Sequence, residues 1–145
     1  MAQNQFVEKQ IQFYENQINI CKEQMYIDEF SVTFLENEIQ FYENQNQFYK
    51  NQNNFYHHQV QLNKEQIEFY MGQLEADVIQ IQIHNKQIQF IDKQVHINNE
   101  YIKFDTERVK FCYEKIVFHK NQILINKEQV QMYENKIAEK KKLLE

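Results

Sequence analysis

The sequence predicts an all-β fold, a heptad-repeat β-solenoid with a short C-terminal helical cap. Three observations carry that expectation. The segment Gln10–Asn16, Gln-Ile-Gln-Phe-Tyr-Glu-Asn, returns almost unchanged at Glu38–Asn44 and more loosely at Gln66–Gly72. Counting by sevens from Ile11 to Leu144, 18 of 20 positions are Ile, Val, Leu or Met, with Asn46 and Asn53 the exceptions. Counting from Phe6 to Glu139, 19 of 20 are apolar and mostly Phe or Ile; the slot before each Ile is Gln in 14 of 20 cases. A period that never slips over this length marks a repeat protein and leaves no room for a second domain or a linker.

Spacing decides how the period is read. The two reliably apolar slots stand two and five residues apart, as in Ile11, Phe13, Ile18 and Ile20. On a helix of 3.5 residues per turn, positions two apart point roughly 205° away from each other, so Ile and Phe form two separate stripes. The next slot holds Tyr14, Tyr42, Tyr56, Tyr70 and other tyrosines. It also holds Asp28, Asn63, His84, Asp105 and His119, a poor seam for a coiled coil if those groups lack partners. On a strand, residues i and i+2 share one face. Gln-Ile-Gln-Phe-Tyr then becomes a strand with Ile and Phe inward, and the following polar pair becomes a corner. Ile, Val, Phe and Tyr favour strands, and repeats this short must stack to bury an apolar face.

The inward core of such a solenoid is Ile11, Phe13, Ile39, Phe41, Ile67 and Phe69. Tyr42, Tyr56 and Tyr70 recur every 14 residues. That spacing suggests a two-sided coil of about 14 residues with the tyrosines stacked on an outer contact face and Asn46 paired with Asn53 inside. Scarcity of Gly, Ser and Thr, and abundance of Gln, Glu and Lys, weigh the other way. The alternative fold is all-α: a long heptad-repeat helix or coiled-coil rod carrying two apolar stripes.

In chain order, the array occupies 1–135 and a cap occupies 136–145. The most polar section is Gln45–His58, where both Ile slots are Asn. Ala76 in a Phe slot, followed by Asp77-Val78-Ile79, predicts a bulge or a local change of path. The frame decays over Lys136–Glu145, where Ala138, Leu143 and Leu144 offer helical spacing.

Charge and motifs restrict function more than they define it. A net charge of −5, with Lys140–Lys142 the only basic cluster, argues against nucleic acid as a partner. No apolar run reaches a membrane span, no signal peptide is evident, and Cys21 and Cys112 have no metal or redox spacing; a cytoplasmic location is expected. His57-His58 reads as solvated surface, and no catalytic or phosphate-binding motif is present. The expectation is therefore a non-enzyme with no cofactor and no bound metal. It is a self-assembling structural protein of a fibre, layer or lattice, whose Gln, Asn and Tyr rows contact further copies or another structural protein. The alternative function is a helical coiled-coil binding module or spacer joining two protein partners.

Overall fold

A computed structural model describes residues 2–145 and corrects the fold class. The described residues form two α-helices, α1 (Ala2–Met71) and α2 (Val78–Lys142), and contain no strand. The β-solenoid, its 14-residue coil and its strand-and-corner repeat are overturned; the all-α alternative is the fold. Backbone geometry gives the reason. Solenoid corners every seven residues call for positive φ, and none of the described residues has it, Gly72 included. Gln, Glu, Lys and Met favour an unbroken helix, which satisfies its own interior N–H and C=O groups without corners.

The chain divides into two compact units. One consists of Met1–Glu38 with Phe111–Glu145, the other of Ile39–Lys110. In each, a stretch of α1 packs antiparallel to a stretch of α2. Tyr14 stacks on Tyr133 and Asp28 meets His119 in the first unit; Asn46 meets Thr106 and Asn53 meets Asn98 in the second.

Within the second unit the chain reverses between Met71 and Val78, where the sequence suggests a change of path. Gly72 N–H still donates to Glu68 O at 3.0 Å, so the helical pattern runs to the glycine before it stops. Asp77 starts α2. Its Oδ1 accepts from the backbone N–H of Gln80 at 3.1 Å, and its carbonyl accepts from Ile81 N–H at 3.0 Å. A side-chain oxygen three residues ahead of an otherwise unsatisfied N–H is the N-cap arrangement. At the other end, α2 passes through 135–136 without interruption and runs to Lys142. Its last turn tightens, with Leu143 and Leu144 donating three residues back at 3.1 Å. Lys140, Lys141 and Lys142 place positive charge at the negative end of the helix dipole.

The seam joining the helices uses a pair of slots three and four residues apart. The Ile slot is position a, and the mixed slot of Tyr14, Asp28 and His119 is position d. Every buried residue among those described falls in one of the two. Ile11, Ile18, Ile39 and Ile116 hold a positions; Val7, Cys21, Ile91 and Cys112 hold d positions. The polar residues that make d look unsuitable are buried with partners. His119 Nδ1 donates to Asp28 Oδ1 at 2.8 Å, and Gln24 Nε2 reaches Asp28 Oδ2 at 3.4 Å. His84 Nδ1 donates to Asn63 Oδ1 at 2.7 Å, while Asn63 Nδ2 donates to the Gln59 carbonyl at 3.0 Å. Matched in this way, each group avoids the cost of about 1–3 kcal/mol for an unsatisfied buried partner.

The two asparagines in Ile slots do not pair with each other, contrary to the solenoid reading. Asn98 Nδ2 donates to Asn53 Oδ1 at 3.0 Å and to Gln52 Oε1 at 2.7 Å, and Asn53 Nδ2 donates to Asn99 Oδ1 at 3.0 Å. Asn46 Nδ2 donates to Thr106 Oγ1 at 3.2 Å. Polar residues at a positions favour one register over its neighbours, because a one-heptad slip sets either Asn53 against Ile91 or Asn46 against Cys112.

Candidate functional site

With a and d facing the other helix, the remaining slots are fixed by geometry. The Phe slot becomes position c and the Gln slot position g. At 3.5 residues per turn, c lies roughly 130° and g roughly 75° from the centre of the seam, on the same side of it. Phe therefore cannot enter the seam that Ile occupies. Phe13, Phe41 and Phe69, expected inward, are 55%, 60% and 62% exposed, whereas Ile11 and Ile39 are 9% and 6% exposed. Ile67 is half-buried.

The tyrosines expected on an outer contact face occupy d positions instead. Tyr42, Tyr56 and Tyr70 are half-buried. The guanidinium carbon of Arg108 lies 5.7 Å from the Tyr42 ring centroid, and Tyr70 stacks on His84 at 6.0 Å. Their outward placement is corrected for the same reason as that of Phe: a helix turns 100° per residue, so neighbouring slots do not alternate between faces as they do on a strand.

What remains open to solvent is an apolar row of unusual regularity. In the first unit, α1 exposes Phe6, Phe13, Ile20, Ile27 and Phe34 at successive c positions. Its α2 stretch exposes Phe111, Phe118, Ile125 and Met132. In the second unit, α1 exposes Phe41, Phe48, Phe55, Leu62 and Phe69, and α2 exposes Ile83, Phe90, Ile97 and Phe104.

Antiparallel packing sets the two rows of a unit on one face. When one helix is reversed and turned to meet the other, g comes to lie beside g, and each c row flanks the pair. Two shallow hollows show this arrangement. Phe34 and Phe111, from different helices, line one together with Ser31 and Lys115, both at g. Gln59 and Gln87, again g positions of different helices, line the other beside Ile83 and Phe90. Each unit thus carries a face ordered Phe, Gln, Gln, Phe across its width.

Charge is sparse on this face. The c slot is uncharged from Phe6 to Met132, and the g slot is charged only at Glu38, Arg108, Lys115 and Lys136. The opposite side differs. Positions e and f carry Glu15, Lys22, Glu23, Glu29, Lys50 and Lys64, and His57 and His58 are exposed there. No three His, Cys, Asp or Glu side chains converge among the described residues. Cys21 and Cys112 are buried at d positions, with Cys21 Sγ 3.5 Å from Gln129 Oε1 and Cys112 Sγ 3.7 Å from Glu38 Oε2. Asp105, buried at d, has its carboxyl pushed above its ordinary value by desolvation. With its amide oxygen and nitrogen exchanged, Gln45 would donate to both carboxylate oxygens at 3.1 and 2.8 Å, a contact that favours the charged form and opposes that rise.

No described helix is long and apolar enough to cross a membrane. In each unit the fold and this face define an antiparallel helical pair with a second, solvent-facing heptad surface. Comparison with family models, curated proteins and solved structures finds no match.

The signal for the second surface is present in the sequence. Gln and Phe slots stand three and four residues apart, the spacing of a coiled-coil seam, and Ile pairs with the mixed slot at the same interval. Sequence reasoning paired Ile with Phe, the two most uniform slots, and so missed both seams.

Proposed function

We propose that the chain is a non-catalytic coiled-coil assembly module. Its a/d seam folds the chain on itself, and its c/g face docks a helical protein surface. The observation that supports this most is the exposure of the c row, nine large apolar residues in each unit. Scattered exposed apolar side chains are ordinary on a protein surface, but a row repeating at every heptad is the pattern of an interface. A helix laid along it meets apolar anchors at seven-residue intervals with amides between them, the helix-in-groove mode of recognition. Two buried cysteines that form no disulfide with each other are in keeping with a cytoplasmic, reducing setting.

Photo-crosslinking from single positions in cells tests the reading. A benzoylphenylalanine at Phe55 is expected to trap a protein adduct, while the same probe at Asn44, exposed at position f, traps none. Equal yields from the two positions contradict a docking role for the c/g face.

A further inference from the structure

From the make-up of the c/g face we infer that its occupant is a second copy of this chain, seated face to face so that four helices pack together at each contact. The inference rests on the docking reading above and goes further by naming the partner.

Three features of the face select a copy of itself. The first is register. The g and c slots form their own heptad seam, Gln3, Phe6, Gln10, Phe13, Gln17, Ile20 and onward, with the same three-four alternation as the inner seam. A partner that fills it must offer an equally sustained three-four row, and the chain itself offers one on both helices of each unit.

The second is chemistry. Gln both donates and accepts, so the g-slot amides not already bonded within the chain, such as Gln59, Gln66 and Gln87 but not Gln24, Gln45, Gln52 or Gln129, can pair with their own copies without any change of sign or role. A charged partner would instead need a face of opposite charge, and the Phe–Gln face supplies little. Self-complementarity is the requirement for the isologous contact of a twofold dimer, in which one patch meets its own copy. The same amides would make a purely lipid-like or featureless apolar covering costly, because they would lose water without gaining partners.

The third is area. A Phe about 60% exposed leaves on the order of 100 Å² uncovered and a half-exposed Ile, Leu or Met somewhat less, so the two rows of a unit together give on the order of 900 Å². Each row is therefore about 450 Å², the size of the largest single apolar patch on a typical monomer, about 300–600 Å², and a unit carries two of them side by side. Two faces brought together remove up to about 1,800 Å², and two-thirds of that still reaches about 1,200 Å², the lower bound for a stable interface.

Sedimentation equilibrium of the full chain at micromolar concentration tests this. The expected result is a dimer or larger assembly of the 18.0 kDa chain. Phe55→Lys with Phe90→Lys is expected to weaken self-association by at least 100-fold and leave the monomer, with helical far-ultraviolet ellipticity unchanged. Asn44→Lys with Glu100→Lys, at exposed f positions, is expected to leave the assembly intact. Should the Phe variant lose helicity, Gln59→Glu with Gln87→Glu provides the same test by setting like charges across the contact. A wild-type monomer overturns the inference, as does an assembly that survives both face variants. In the monomer case, anilinonaphthalene sulfonate separates the two readings. Strong dye fluorescence that Phe55→Lys reduces means an open face awaiting a different protein, so only self-occupancy fails. A monomer that does not bind the dye removes the docking reading as well.

Discussion

In the unit formed by Met1–Glu38 and Phe111–Glu145, the buried seam residues are Val7, Ile11, Ile18, Cys21, Cys112 and Ile116, with Asp28 and Asn126 among them. In the unit formed by Ile39–Lys110, they are Asn53, Asn63, Asn98 and Asp105, with only Ile39 and Ile91 of aliphatic character. Both units keep the same heptad frame and the same outer Phe row, so the difference lies in what the seam excludes. Apolar burial gives the first unit a larger non-directional contribution, about 0.8 kcal/mol for each methylene removed from water. Hydrogen-bonded amides give the second unit less net energy, about 0.5–1.5 kcal/mol per bond, and a much stricter demand on alignment. The comparison teaches that one repeat can support a stability segment and a register segment by changing the occupants of a and d alone.

The largest effect expected from breaking this contrast is in the first unit. Ile116→Ala, at a position 6% exposed, is expected to cost about 2–5 kcal/mol through lost burial and the cavity left behind. Urea denaturation reads it directly. In the second unit, Asn98→Leu leaves the Gln52 and Asn53 acceptors without their donor, at an expected cost of about 1–3 kcal/mol. Adding Asn53→Leu is expected to recover most of that stability, since two apolar groups replace a matched polar pair. The double variant gives up the register lock, and cross-linking between engineered cysteines on α1 and α2 should then trap more than one alignment. A double variant less stable than Asn98→Leu alone contradicts the assignment of these residues as a matched pair.

A smaller effect concerns charge in the second unit. Desolvation raises the Asp105 carboxyl above its ordinary value of 3.8, so the folded chain holds that proton at pH values where the unfolded chain has lost it. The folded state therefore binds more protons in this window, and Asp105 contributes less stability as pH rises through it. Asp105→Asn is expected to remove that decline. The difference between the stability-versus-pH curves of the two proteins, from below 3.8 upward, measures it. The smallest effect is at the connection: Asp77→Ala removes the N-cap acceptor for Gln80 N–H and is expected to cost about 1 kcal/mol in thermal melts.

How much of this was legible is best judged slot by slot. The heptad frame, the alternation of Ile with a mixed slot and the disturbance at Ala76–Asp77 are all visible in the letters. Their meaning was misread because each slot was judged by its average chemistry. Asp28, Asn63, His84 and His119 look unsuited to a seam one at a time; they become suitable as the pairs Asp28–His119 and Asn63–His84. The members of each pair are equidistant in sequence from the same point in the Gly72–Asp77 connection, as are Tyr14 and Tyr133, a relation that has no meaning until each pair is seen in contact. Phe misled for the opposite reason. Its uniformity at c suggests burial within the chain, although 3.5-residue geometry already separates it from Ile by most of a half turn. The candidate face was legible as spacing between the Gln and Phe slots, but its exposure required knowledge of which seam the chain uses for itself.

Within each unit Ile, and not Phe, holds the two helices together. Ile39 and Phe41 are two residues apart, 6% and 60% exposed, and test it side by side. Denaturant melts of Ile39→Ala and Phe41→Ala should be compared in a chain that also carries Phe55→Lys and Phe90→Lys, so that contacts between copies do not enter. The expected result is a loss of about 2–5 kcal/mol for Ile39→Ala and within about 0.5 kcal/mol of no change for Phe41→Ala. Equal losses, or a larger loss at Phe41, contradict the account.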